Sequence, residues 1–527
     1  MTGSEVKIAI AGAGVSGFAT LGYLVEHLRK VPSAETVIYL LQPPKRICAD
    51  GLTQAQRDRL AKLREIGIDP SRLLGGGEVY HPAQPSLFTF NGNSAARGFN
   101  FVRRRYDFED YFEWVQANRA LLASLYPDFA PEQKQQRHSG HTLDEIEGTT
   151  PRGAYGLYLN EQFLALQKHL PEHVRLQVVP EAMTASMATG QTVTVETGSR
   201  QFVVDYLVDA TGHRYVELRP EWAGRVFKAY PCDRYSQNLA KEITVVGAGP
   251  AGIEVALHAL HNLDVERVAL VSRSGRSRLP QVEPTEAYEC QWFTREKMRE
   301  NPTAAYAEAL LERELEACCQ ACNLFFPGWE ALLQVEDYAD FLADYLKITA
   351  RSPNHPLAHL VRPVMSFYGQ VKDLLAPAEQ VKVQQLIARV RPLFATQSRP
   401  CAEMMLAAIE AGRLELIAGE FLFEEATPTV LRPDGTQIHP ECVVLATGLA
   451  PSIPAVSLQN ENSRCYQVVG TSLSEVHKGA AEVAEFVVFD MLAWRARSHE
   501  QRLLSCISAI AHTKCGLSWC VSLAYRS

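Results

Sequence analysis

The sequence has little of what would place it in several large classes of protein. It lacks an apolar run long enough for a spanning helix: the longest stretches, such as VAEFVVFDMLAW at 483–494, fall short of roughly 20 residues. The Met-Thr-Gly-Ser start has no basic region followed by an apolar core, so no secretory signal is expected. Basic residues are in deficit, and a net charge of −8 argues against a general nucleic-acid binder. The 12 cysteines are scattered rather than spaced as a disulfide framework. No Ser-His-Asp order or paired-carboxylate pattern stands out among the 15 histidines, and no set of four ligands completes a metal site. These absences leave a soluble cytoplasmic protein without a membrane span, and hydrophobic and charged contents of 46% and 21% agree with that expectation. At 527 residues the chain has room for two to four domains.

What is present is a glycine pattern that occurs twice. VKIAIAGAGVSGFATLGYL at 6–24 reads as a strand, a turn carrying Gly12, Gly14 and Gly17, and a helix. In such a GxGxxG turn the first glycine permits the bend and the second lets the backbone approach a pyrophosphate. The third lets the helix pack on the strand, and its N-terminal amides then face the phosphates. A second strand, TVIYLLQ at 36–42, ends on Gln42, where an acidic residue would hold the ribose hydroxyls and where glutamine can still hydrogen-bond one. EITVVGAGPAGIEVALHAL at 242–260 repeats the pattern with Gly247, Gly249 and Gly252. Its following strand, RVALVSRS at 267–274, runs into SRSGRSR with Arg273, Arg276 and Arg278. Arginines there would pair with a 2′-phosphate, which favours NADPH over NADH. Two cradles suggest two different dinucleotides; the N-terminal one is where flavoproteins hold FAD, and the second would bring NADPH to reduce it.

Taken together these segments resemble the two-dinucleotide-domain flavoprotein monooxygenases: the N-hydroxylating, Baeyer–Villiger and flavin-containing enzymes and their FAD/NAD(P)-binding relatives. VVDYLVDATGH at 203–213 and ECVVLATGLAPSIP at 441–454 are both apolar strands running into Ala-Thr-Gly, with Thr211, Gly212, Thr447 and Gly448. The second is similar to the acidic-x3-Leu-ATG pattern of the N-hydroxylating enzymes through Glu441, Leu445, Ala446 and Pro454. It departs at Leu449, where that family has tyrosine. FVRRRYDFEDYF at 101–112 resembles a segment lying against the flavin, which implicates Arg104 and Tyr111, although an amphipathic surface helix explains it equally well. WAGRVFK at 222–228 is a degraded form of the Baeyer–Villiger fingerprint, with Lys228 in place of histidine. YQVVGTSLSEVHKGAAEVAEFVVFDML at 466–492 resembles the closing segment of the FAD domain and implicates Gly470, Lys478 and Gly479, with Thr471 where the family often has aspartate.

The expected fold is α/β, with two Rossmann-like domains for FAD and NADPH and a helical insertion. The FAD domain is expected over 1–215 and 441–498, and the NADPH domain over 216–282 and 413–440. The insertion takes 283–412 and a tail takes 499–527. Helices are expected over 303–326, 335–350 and 378–394, broken by Pro353, Pro356 and Pro363. The proline-rich stretch RPVMSFYGQ at 362–370 is expected as a turn with substrate contacts, and the insertion as an active-site cover or a homo-oligomer contact. By the resemblance, NADPH reduces the flavin, O2 forms a C4a-peroxyflavin, and one oxygen atom passes to a small-molecule substrate. Nitrogen oxidation stands ahead of Baeyer–Villiger chemistry on the Glu441 pattern. An NADPH-dependent flavin reductase, a thiol–disulfide reductase using the Cys319–Cys322 CxxC, and a non-enzymatic flavin-binding scaffold are the alternatives. The CxxC lies in the middle of a helical pattern, far from either glycine turn, which favours packed cysteines. The tail, with Cys506, Cys515 and Cys520, is read either as a terminal helix or as a partner contact.

Overall fold

Twelve elements carry the two sheets and their glycine turns. In chain order they are β1 (Val6–Ala11), α1 (Val15–Leu28), β2 (Thr36–Leu41), β3 (Val174–Val179), β4 (Tyr206–Asp209), β5 (Val226–Lys228), β6 (Glu242–Val246), α2 (Pro250–Asn262), β7 (Arg267–Ser272), β8 (Leu414–Ala418), β9 (Val443–Leu445) and β10 (Cys465–Gln467). The computed structural model describes residues 5–31, 35–90, 111–127, 150–214, 218–234, 239–280, 282, 284–325, 328, 331–332, 337–394, 397–447, 450–451, 456–457, 464–468, 479–488 and 491.

The chain divides into two units, one of residues 1–43, 166–212 and 454–527, the other of 44–165 and 213–453. In the first, five parallel strands take the order β10-β4-β1-β2-β3. Central strands of a parallel sheet are covered on both faces, so they are apolar throughout rather than alternating. β1 and β2 show this, with Ile8, Ala9, Ile10, Ile38 and Leu40 fully buried. α1 buries Phe18, Leu21, Leu24, Val25 and Leu28, the three- and four-residue spacing of one helix face. An antiparallel meander, Met183–Thr189, Thr192–Thr197 and Gln201–Val204, joins β3 to β4.

The second unit repeats the plan. Its parallel sheet runs β5-β9-β6-β7-β8, again with the strand before the glycine turn in the centre. On one side of that strand lies the next strand after the helix, and on the other the strand that leads into Ala-Thr-Gly. α2 begins with Pro250 in its first turn, where the missing N–H costs no helical bond. The α/β class with two Rossmann-like units is therefore present.

Between β7 and β8 the crossover expands into helices, including Ala304–Ala321, Tyr338–Arg351, Val361–Val371, Pro377–Phe394 and Arg399–Glu410. Their inward faces, with Leu311, Leu315, Leu342, Phe367, Val390 and Met405, join one core with β6, β7 and α2. The expectation of a turn over 362–370 is corrected: these residues lie inside the helix Val361–Val371. Pro363 falls in its first turn, where proline is tolerated, and Val364, Phe367 and Val371 bury one apolar face. The Trp222 segment is structural as well. Trp222 is 1% exposed, meets Phe421 edge-on, and donates its indole N–H to the Glu425 carbonyl at 3.2 Å.

Candidate functional site: two glycine turns

In the first unit Gly12 has φ +98°, a conformation that side chains rarely adopt. A Cβ on Gly12 would lie 2.5 Å from the carbonyl oxygen of Ala210, and one on Gly17 would lie 1.7 Å from that of Gly12. Gly14 is the extended residue that caps α1, and it brings no side chain to the helix N-terminus. The second unit has the same build. Gly247 has φ +109°, and its Cβ would stand 2.5 Å from the carbonyl oxygen of Ala446; one on Gly252 would stand 1.6 Å from that of Gly247. Each turn is thus pinned between its own helix and the alanine of an Ala-Thr-Gly strand. The outer glycines are packing requirements, and Gly14 and Gly249 cap the helices whose N-terminal amides would meet phosphate.

Gln42 accepts a hydrogen bond from the Ala13 N–H at 2.8 Å and donates to the Pro43 carbonyl at 3.1 Å. The residue at the end of β2 therefore braces the first turn. Thr211 is exposed, and its N–H and hydroxyl both donate to Asp209 Oδ1, at 3.0 and 2.6 Å. Gly212 follows with φ +83°, and Gly479 opens the helical residues 479–488. Gly470 and Lys478 lie outside the described residues, as do Arg104, Gly448 and the tail cysteines. Tyr111 belongs to the second unit, 3% exposed, with its hydroxyl 2.6 Å from Thr150 Oγ1 and its ring against Tyr155 and Tyr158.

At the second turn Arg273 is exposed and Arg276 half-buried, its Nη1 3.4 Å from the Leu332 carbonyl. Thr447 is exposed at the end of β9. The arginine nearest the glycine turn is Arg278, whose Nη2 lies 3.5 Å from where a Cβ of Gly249 would be. Burial, with Arg391 close by, lowers its guanidinium to about 10. Sequence reasoning saw Arg278 in the basic loop without separating it from its neighbours; the signal missed was its distance along the loop back toward the turn.

Glu254 and His258 project from the inward face of α2 into a buried knot. Arg152 Nη2 stands 2.8 Å from Glu254 Oε2, and Tyr230 bonds Arg152 and lies 3.5 Å from the same oxygen. His258 meets Phe88 edge-on, and burial lowers it to about 3.

The cysteines are arranged for packing. Cys318 and Cys319 are buried on the helix Ala304–Ala321 and Cys322 caps it. Burial raises all three thiols, Cys319 to about 11, which disfavours the thiolate that disulfide exchange needs. Cys319 lines a cleft of about 150 Å³ with Leu315, Phe341 and Tyr345. Among the described residues no group of His, Cys, Asp and Glu is placed to hold a metal ion, and no helix is long and apolar enough to cross a membrane.

A family model described as FAD-NAD(P)-binding matches residues 48–214. No curated protein matches the chain. Among solved structures, reduced ornithine hydroxylase PvdA from Pseudomonas aeruginosa aligns at 12% identity over 93% of this chain and 100% of that one, with a TM-score of 0.44. OTEMO, in complex with FAD and NADP, aligns at 12% over 94% of this chain and 87% of that one, with a TM-score of 0.43. Bacillithiol disulfide reductase Bdr (YpdA) from Staphylococcus aureus aligns at 11% over 93% and 99%, with a TM-score of 0.40.

Proposed function

We propose that this protein, which carries an FAD-NAD(P)-binding domain and two Rossmann-like cradles, is an FAD-dependent, NADPH-using monooxygenase of small molecules. The observation that carries the reading is the repetition of one glycine-turn geometry in both units, each turn closed on the alanine carbonyl of an Ala-Thr-Gly strand. A chain with one nucleotide cofactor needs this arrangement once. FAD, when bound at the first turn, supplies hydride acceptance and oxygen activation.

This chain's residues do the rest. Gly12 and Gly17 let helix α1 and β4 close on the turn, and Gln42 holds Ala13 in place. Gly247, Gly249 and Gly252 do the same for NADPH, with Arg273, Arg276 and Arg278 supplying positive charge for its phosphates. The Glu441–Leu445–Ala446–Thr447 pattern supports transfer of oxygen to nitrogen ahead of ketone oxidation. The buried, high-pKa cysteines argue against a disulfide as the electron acceptor.

Reduction of the purified protein with NADPH, followed by rapid mixing with oxygenated buffer, tests the proposal. A delayed return of the oxidised-flavin spectrum, with peroxide release falling when a suitable amine is added, supports it. Immediate return with stoichiometric peroxide makes the protein an NADPH-dependent flavin reductase. A protein that neither carries nor binds flavin is neither.

A further inference from the structure

The two Ala-Thr-Gly strands differ in chemical character at the residue before the alanine. β4 ends on Asp209, in register with Ala11 just before the first glycine turn. β9 ends on Leu445, in register with Val246 just before the second. Both positions immediately precede the alanine that closes the turn, and both are buried, Asp209 at 2% and Leu445 at 5% exposure. Leu445 shows that an apolar residue satisfies this place in the fold. The carboxylate in the first unit is therefore an addition that packing does not require.

Only half of that carboxylate is used. Oδ1 accepts both hydrogen bonds from Thr211. Oδ2 is buried and has no hydrogen-bond partner among the described residues. A buried charged oxygen without a donor destabilises the protein that contains it. Such an atom persists where something outside the chain supplies the donor.

The chemistry of that donor is restricted. A carboxylate oxygen accepts hydrogen bonds and is repelled by phosphate, so the part of a dinucleotide it meets is one that carries a donor, such as a sugar or ribityl hydroxyl. The end of β2 is where the adenosine ribose of a dinucleotide is held. β4 lies on the opposite side of β1, and so on the side of the other half of the molecule. We propose that Asp209 Oδ2 accepts a hydrogen bond from a hydroxyl of the ribityl chain of FAD seated on the first glycine turn. This rests on the assignment of FAD to the first turn.

The test compares wild type with Asp209→Asn and Asp209→Leu as full-length apoprotein. Asparagine keeps the acceptor for Thr211 and replaces the free oxygen by a donor; leucine is the residue already accommodated at 445. FAD affinity is measured by quenching of flavin fluorescence. ADP, which has the adenosine ribose and pyrophosphate but no ribityl chain, is measured as a competitor. Thermal midpoints of the apoproteins are recorded alongside.

The expected result is FAD binding weakened by about tenfold or more in both variants. ADP competition stays unchanged, and the apoprotein midpoint stays equal or rises, because an uncompensated charge has gone. Equal FAD affinity overturns the assignment, as does parallel weakening of ADP. A lower midpoint of the Asp209→Asn apoprotein makes the carboxylate structural and also overturns it. Wild type that binds no FAD overturns the flavin reading itself, a different failure from wild type that binds FAD as its variants do.

Discussion

The side-chain oxygen of Gln42 lies 2.8 Å from the backbone nitrogen of Ala13, so the residue that follows β2 holds the glycine turn from the side. Loss of that acceptor leaves a turn amide without its protein partner. Gln42→Ala should lower stability by about 1 kcal/mol and weaken flavin retention. Gln42→Glu, which keeps an acceptor, should restore most of the stability. Denaturation midpoints and flavin content of the three proteins check this.

Gly249 and Gly252 of the second turn should respond differently. A Cβ on Gly252 would stand 1.6 Å from a backbone oxygen, whereas one on Gly249 meets first the guanidinium of Arg278 at 3.5 Å. Gly252→Ala should cost several kcal/mol, on the order of a severe core clash, and yield little folded protein. Gly249→Ala should fold with a normal midpoint yet bind NADPH more weakly, because its methyl group occupies the approach to the pyrophosphate. Thermal melts beside NADPH titrations separate the two.

The basic loop should divide its work. Arg273→Ala combined with Arg276→Ala should raise KM for NADPH by about tenfold while leaving NADH little changed, if these side chains meet the 2′-phosphate. Arg278→Ala, made beside the turn itself, should raise KM for both nucleotides alike. Steady-state kinetics with each nucleotide give the two patterns.

The Arg152–Glu254 pair, with side chains 12% and 2% exposed, predicts a strong asymmetry. Arg152→Met leaves a buried carboxylate without its cation and should cost about 3–5 kcal/mol. Adding Glu254→Leu should recover most of that loss. Urea titrations of both single variants and the double variant check the coupling.

His258 should make stability fall in acid. Burial holds its folded pKa at about 3, below the usual histidine value of about 6.5. Between those values the unfolded chain binds the extra proton, so stability is full above pH ~6.5 and declines as pH falls toward ~3. By pH 5 the loss is about 2 kcal/mol. His258→Gln should therefore lose about 2 kcal/mol less than wild type between pH 7 and pH 5, measured by urea unfolding at both values.

The glycine turns, the strands before them and the helices behind them are legible from the amino-acid order alone. These are local matters: a bend with positive φ at Gly12 and Gly247, and apolar runs whose period sets strand or helix. The sequence also located the helices of the insertion at Ala304–Ala321, Tyr338–Arg351 and Pro377–Phe394 within a few residues. It misread 362–370 because proline there signals a break by composition, while its place in the first turn of a helix depends on where that helix starts.

What each turn closes on is a matter of long-range packing. Gly12 and Ala210, or Gly247 and Ala446, lie some two hundred residues apart and meet through parallel strand register. The same register sets Asp209 beside Ala11 and Leu445 beside Val246. Register between distant strands arises from packing both faces of a sheet at once, and no window of neighbouring residues contains that information. That is why the cradles were legible in the sequence and the carboxylate beside one of them was not.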